Sequence, residues 1–127
     1  MPTILAANES AVLLDGKPVE GIRSIEYRQQ QTRENIYGLG SAERIGLTSG
    51  ALVVEGRLRV ASASPALAAI PADKSFQLSA LLKHGNTTMT VSFDECYVTE
   101  KSFAMTVSSF GESIYSFTTT RVTEAVA

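Results

Sequence analysis

From Ala51 to Val60 the chain alternates with a period of two. Leu52, Val54, Gly56, Leu58 and Val60 fall on one side of an extended strand, and Ala51, Val53, Glu55, Arg57 and Arg59 fall on the other. A helix repeats every 3.6 residues and would scatter this set around its axis, so the stretch is a strand with one buried face. Its second face begins apolar and ends charged, so only part of it can meet water. The same period returns in Ser75 to Lys83, with Phe76, Leu78, Ala80 and Leu82 on one side, and in Thr87 to Tyr97, with Met89, Val91 and Phe93 opposite Thr88, Thr90, Ser92 and Asp94. His84-Gly85-Asn86 between them reads as a tight turn. Ala11 to Leu14 and Val19 to Gln30 flank Asp15-Gly16-Lys17-Pro18, a turn in which Asp-Gly favours positive φ. On the second of these, Val19, Ile25 and Tyr27 are expected on one side and Ile22, Ser24, Glu26 and Arg28 on the other. Ser102 to Ser108 and Ser113 to Val122 form a further predicted hairpin around Phe110-Gly111-Glu112.

One helix interrupts the pattern. Ser64 can cap it, Pro65 suits its first position and Pro71 stops it. It is too short to stand alone, so Leu67 and Ile70 must pack on a sheet. The expected class is therefore all-β with one short helix, a barrel or sandwich built as a single domain over residues 1–127. A chain of 127 residues, 44% hydrophobic and 19% charged, holds such a core without staples. The single cysteine, Cys96, excludes an internal disulfide. The amino terminus has neither a basic leader region nor a sustained apolar segment, so no signal peptide or membrane span is expected. A net charge of −2 argues against a dedicated nucleic-acid binder.

Residues 31–50 read as a long loop. Asn35 to Gly50 holds four glycines and scatters Ile36, Tyr37, Leu39, Ile45 and Leu47 without a period. Gly38-Leu39-Gly40 has Glu43 where a dinucleotide fingerprint needs its third glycine, and no Gly-Lys-Ser/Thr closes a phosphate loop. His84 and Cys96 lie past opposite ends of one strand and cannot meet within a subunit. One Cys and one His do not make a zinc site, and Asp73, Asp94 and Glu95 match no calcium loop. Gly111 to Tyr115 fails as a nucleophile elbow at its fifth residue. No catalytic, cofactor or metal residue is expected, and no enzyme. Arg23, Arg28, Arg33, Arg57 and Arg59 are interleaved with Glu20, Glu26, Glu34 and Glu55, as on a solvated or salt-bridged face.

The run from Val12 to Val60, with Glu34-Asn35-Ile36-Tyr37-Gly38-Leu39-Gly40, then Thr48-Ser49-Gly50 and the returning strand, resembles the amino-terminal half of tail tube proteins of contractile-tailed phages. The short helix and the closing hairpins extend the resemblance to Val122. It implies a β-barrel subunit packed six to a ring. Rings would stack into a virion's inner tail tube, assembled in the host cytoplasm, with sheath and baseplate proteins as partners, DNA passing through the lumen unbound, and no membrane or cofactor involved. Ile36, Tyr37, Leu39, Ile45 and Leu47 would then be covered by a neighbouring subunit or ring. A conduit for a polyanion should not be cationic, which makes Gln77, Ser79, Thr88, Thr90, Ser92 and Asp94 lumen-lining candidates. The rival wall carries Glu26, Arg28, Glu55 and Arg57. Other tail or injection-system ring components (baseplate hub, terminator, secretion tube) and a small-ligand-binding β-barrel are the alternatives.

Overall fold

A computed structural model describes residues 5–71 and 73–126; residues 1–4, part of the segment read for a leader, lie outside them. Eight strands and one helical turn follow in chain order: β1 Ala6–Leu14, β2 Lys17–Pro18, β3 Ile22–Tyr37, β4 Arg44–Ala61, α1 Pro65–Ala68, β5 Phe76–His84, β6 Thr87–Ala104, β7 Glu112–Thr119 and β8 Arg121–Val126. Every pairing is antiparallel. The first layer runs β2-β1-β5-β6-β8 and the second β6-β7-β4-β3, so the single strand β6 belongs to both.

The crossing is local. Up to Cys96, β6 pairs with β5 and β8, and from Tyr97 to Ala104 it pairs with β7. Between the two halves the register slips, with Phe76 opposite Cys96 and Leu78 opposite Phe93. Glu95 absorbs the extra residue at φ 50, a left-handed conformation, as in a bulge that bends its strand. The bend lets one strand turn the corner between layers. Phe93 and Cys96, three apart, are consequently both fully buried.

The core lies between the layers. Leu58 and Val60 of β4 meet Leu78 and Ala80 of β5, Val91 and Phe93 of β6, and Tyr115 and Phe117 of β7. Three edge-to-face aromatic contacts run through it, Tyr27–Phe93 at 5.2 Å, Phe93–Phe117 at 5.4 Å and Phe76–Phe117 at 6.4 Å. α1 plugs one end with Leu67, and Ser64 Oγ accepts a hydrogen bond from the Leu67 amide at 3.3 Å. Lys101 Nζ donates to the carbonyls of Ala68 (3.3 Å) and Ile70 (3.2 Å), closing the helical turn at its other end. The β1–β2 turn has both Asp15 (φ 50) and Gly16 (φ 83) at positive φ, the geometry that suits a two-residue hairpin.

Four expectations need correction. The loop at 31–50 is mostly strand: β3 and β4 stay paired out to Tyr37 and Arg44, so that only Gly38–Glu43 connects them. Beyond Gln30 and Val53 neither strand has a second layer behind it, and exposure on both faces erased the alternation. Ile22 faces the core with Ile25, because the register slips between Ile22 and Ser24. The strand expected over Ser102–Ser108 ends at Ala104 as part of β6. The strand expected over Ser113–Val122 breaks at Thr120, whose amide donates to the Asp94 carbonyl, and β8 then joins the first layer.

Candidate assembly interface

The β3–β4 extension is an arm of two strands. Arg33 faces Ser49, Glu34 faces Thr48, Asn35 faces Leu47 and Ile36 faces Gly46 across it. Its polar side chains bond within the arm: Arg33 Nη1 to Ser49 Oγ at 3.0 Å, Arg44 Nη1 to Asn35 Oδ1 at 3.1 Å, and Gln31 Nε2 to the Gly50 carbonyl at 3.1 Å. Its apolar side chains have no such cover. Ile36, Tyr37, Leu39, Ile45 and Leu47, the five expected interface residues, all sit here and are all exposed, Leu39 completely (108%). The arm therefore gathers them at one tip.

A second exposed apolar set lies at the end of β6 and in its connection to β7, where the sequence predicts strand as far as Ser108. Phe103, Met105, Val107 and Phe110 are all exposed, Val107 at 93%. Its signal was visible as a ten-residue run from Ser102 to Gly111 without a charge.

The lumen-lining candidates share the outer face of the first layer. Ser79 lies opposite Ser92 and Lys83 opposite Thr88, while Gln77 Nε2 donates to Asp94 Oδ1 at 2.8 Å. Asp94 also accepts from Arg121 Nε at 3.1 Å, and these bonds hold its carboxyl below the usual carboxylate range, Gln77 contributing most. Its charge is thus neutralised by Arg121 across β6–β8. On the outer face of the second layer, Glu26, Arg57, Ser116 and Glu100 make one cross-strand row. Ion pairs join Arg28 to Glu55 (3.1 Å), Arg57 to Glu26 (3.6 Å), and both Arg23 and Arg59 to Glu112 (3.1 Å each). Exposed pairs of this kind contribute little stability, but they set four arginines against three glutamates, and Glu100 in the same cross-strand row adds a fourth carboxylate.

His84 and Cys96 end up at opposite ends of the β5–β6 hairpin. The Cys96 thiol is buried, donates to the Phe93 carbonyl at 3.4 Å, and is pushed up to about 11 by that burial. Among the described residues, no group of three or more His, Cys, Asp and Glu side chains could hold a metal ion, and no helix is long and apolar enough to cross a membrane.

Compared with known proteins, the chain matches no protein-family model and, by sequence, no curated protein. Solved structures do match over nearly its whole length. A chain of the sheath-tube complex of an extracellular contractile injection system, PVC, in its extended state superposes with a TM-score of 0.71 at 11% identity, covering 98% of this chain and 93% of that one. The SPP1 tail tube superposes with a TM-score of 0.71 at 13% identity, covering 98% and 80%. This is the tail-tube fold. The tail of an empty gene transfer agent particle, resolved with C6 symmetry, has it too, with a TM-score of 0.64 at 12% identity and 98% of each chain covered.

Proposed function

We propose that this chain is the structural subunit of an inner tail tube, closing into hexameric rings that stack head to tail and conduct DNA during ejection. The observation that carries the reading is the second layer, β6-β7-β4-β3, which among the described residues ends on two unpaired edges, the β3 edge and the Tyr97–Ala104 half of β6. Open edges are a hazard on an isolated molecule. With four antiparallel strands, β3 of one copy runs antiparallel to β6 of the next. Rotation then continues the sheet around a ring without reversing its pattern, and closure removes both edges. The six-fold symmetry of the gene transfer agent tail supports six copies.

In that ring the charge-balanced face of the second layer is the lumen wall. Glu26, Arg28, Glu55 and Arg57 cancel one another, so the wall offers DNA no net cation to bind. The face bearing Gln77, Ser79, Thr88, Thr90, Ser92 and Asp94 is the second candidate, favoured by its short hydroxyls and by the neutralised Asp94. The tube would belong to a virion tail assembled in the host cytoplasm, with sheath and baseplate proteins on its outside and end, and it needs no catalytic group.

Negative-stain microscopy of the purified chain tests this directly. Rings or tubes with a central bore are expected, and a monomer at high concentration would overturn the reading. Finite rings that never stack would make it a terminator, hub or cap instead. Replacing Glu26 and Glu55 with Lys should leave tubes intact and slow DNA ejection, more so at low salt. The same defect from Lys at Thr88, Thr90 and Ser92 would move the lumen to the first layer.

A further inference from the structure

The outward face of the second layer has one carboxylate left over, and it stands on an edge. Across the four strands, Arg28 on β3 lies level with Tyr97 on β6, Glu26 with Glu100, and Ser24 with Ser102. Glu26, Glu55 and Glu112 each hold an arginine. Glu100 is exposed on the β6 edge and, among the described residues, has no ion-pair partner. On the opposite edge, Arg28 meets Glu55 through one nitrogen, and its side chain is 73% exposed.

We propose that Glu100 sets the register of ring closure by pairing with Arg28 of the next copy in the same ring, two residues beyond the level position. The inference rests on the ring reading, with this face turned to the lumen, and adds the residue pair that fixes how one copy joins the next.

A sheet that closes into a barrel must stagger its strands, so the level arrangement is excluded. That arrangement would also set Glu100 against Glu26 of the next copy, and like charges directly opposite are destabilising. A stagger of one residue would turn every side chain of the incoming strand to the other face. The smallest step allowed is two residues, to Arg28 in one direction or to Ser24 in the other.

The hand of the sheet chooses between them. The Ala61 amide donates to the Gly21 carbonyl at 2.8 Å, on the β3 side of β4. By alternation Ala61 shares its face with Arg57 and Arg59. In a strand of L-residues running upward, a residue whose side chain faces the viewer points its own N–H and C=O to the right. Seen from the lumen, β3 therefore lies to the right of an upward β4, and β6 to its left. Seen from outside the ring the order reverses, and β3 of the next copy follows β6 on the right. The twist of β-sheets tilts barrel strands upward to the right in that view. A path at right angles to the strands thus descends as it moves right, and it meets the next copy's β3 below Glu26. That strand runs downward, so the residue two steps below is Arg28. Handedness and charge select the same partner.

Arg28 can serve both carboxylates, because a guanidinium carries five N–H donors and Glu55 uses one of them. The same step brings Tyr97 beside Gln30 and Ser102 beside Glu26 of the next copy, so no like charges meet.

Disulfide cross-linking of assembled protein tests the register. Arg28→Cys with Glu100→Cys in one chain should give, after oxidation, a ladder on a non-reducing gel that ends at the copy number of the ring. Glu26→Cys with Glu100→Cys should give none, because a slip of two residues carries the Cα atoms past the roughly 7 Å limit of a disulfide. All three positions are exposed, and Cys96 is buried out of reach. Within one chain each pair lies three strand spacings apart, roughly 14 Å, and cannot bridge. Glu100→Lys, which sets a cation against Arg28, should raise the concentration needed for rings about tenfold or more. Adding Arg28→Gln to it should recover most of that loss, since the new lysine then meets Glu55 of the next copy. A ladder from the Glu26 pair, or rings from Glu100→Lys at the usual concentration, would overturn the register and leave the ring reading standing. Rings visible by microscopy with no ladder from either pair would overturn the pairing of these two edges, and the proposal with it. A wild-type chain that forms no ring takes down both.

Discussion

At Gly56 on β4, an added Cβ would sit 2.3 Å from Cζ of Phe117, the ring at the centre of the aromatic chain. Neither β4 nor β7 can move away, since Gly56 is register-paired with Phe117 itself. Gly56→Ala should therefore cost about 1–3 kcal/mol through overpacking, read as a lower urea midpoint with an unchanged slope. Gly46→Ala on the arm meets only Ile36 at 3.6 Å, an ordinary contact, and should leave the midpoint where it is. Tyr27 carries a second residue-level prediction. Its hydroxyl donates to the Glu124 carboxylate and so ties β8 to β3. Burial, then that hydrogen bond and the carboxylate's charge, raise its pKa from 10.0 to about 12. A raised acid pKa means the folded state favours the protonated form. The stabilisation is complete below pH 10 and disappears as pH climbs towards 12. Amide exchange along β8 should accelerate across that window, and Tyr27→Phe should remove the pH dependence.

The arm behaves as an element apart. From Arg33 to Ser49 its two strands pair only with each other, and β4 first meets β7 at Val54. Replacing residues 33–49 by Asn-Gly, which suits a two-residue hairpin turn, should leave the β-type circular dichroism spectrum and the melting temperature nearly unchanged while abolishing stacking into tubes. A collapse of the spectrum would place the arm in the core. The same independence explains what could be read in advance. The Val54 to Val60 half of β4 was legible because one face is buried and period two follows from that. The arm was not, because strands bare on both faces have no burial to impose a pattern. Its five apolar residues still marked it as a surface awaiting cover. β6 was read in two pieces because the bulge at Glu95 shifts the buried set from Phe93 to Cys96, breaking the parity that alternation depends on. Met105 and Val107 read as a continuation of the strand that carries Phe103, since β-branched and apolar residues serve a pleated sheet and an uncovered loop equally well.

Over the whole molecule, the shared strand decides how the fold comes apart. Each layer includes half of β6, and Phe93 at its centre touches both Tyr27 of the second layer and Val91 and Leu78 of the first. Neither layer keeps a complete sheet without the other. Denaturant unfolding should be one transition, with tyrosine fluorescence and far-UV circular dichroism coincident; separated curves would show layers that melt independently. In mechanical terms, β6 is a tie running through both walls of a box. Elsewhere the walls are joined by side-chain packing and by the connections after β2, β4 and β7, which lie between strands of different layers. At β6 a load that pries the walls apart meets one continuous strand that is hydrogen-bonded into both. The two layers can shear, twist or thin about this strand as a hinge, but the box stays closed along that corner for as long as the chain itself is whole.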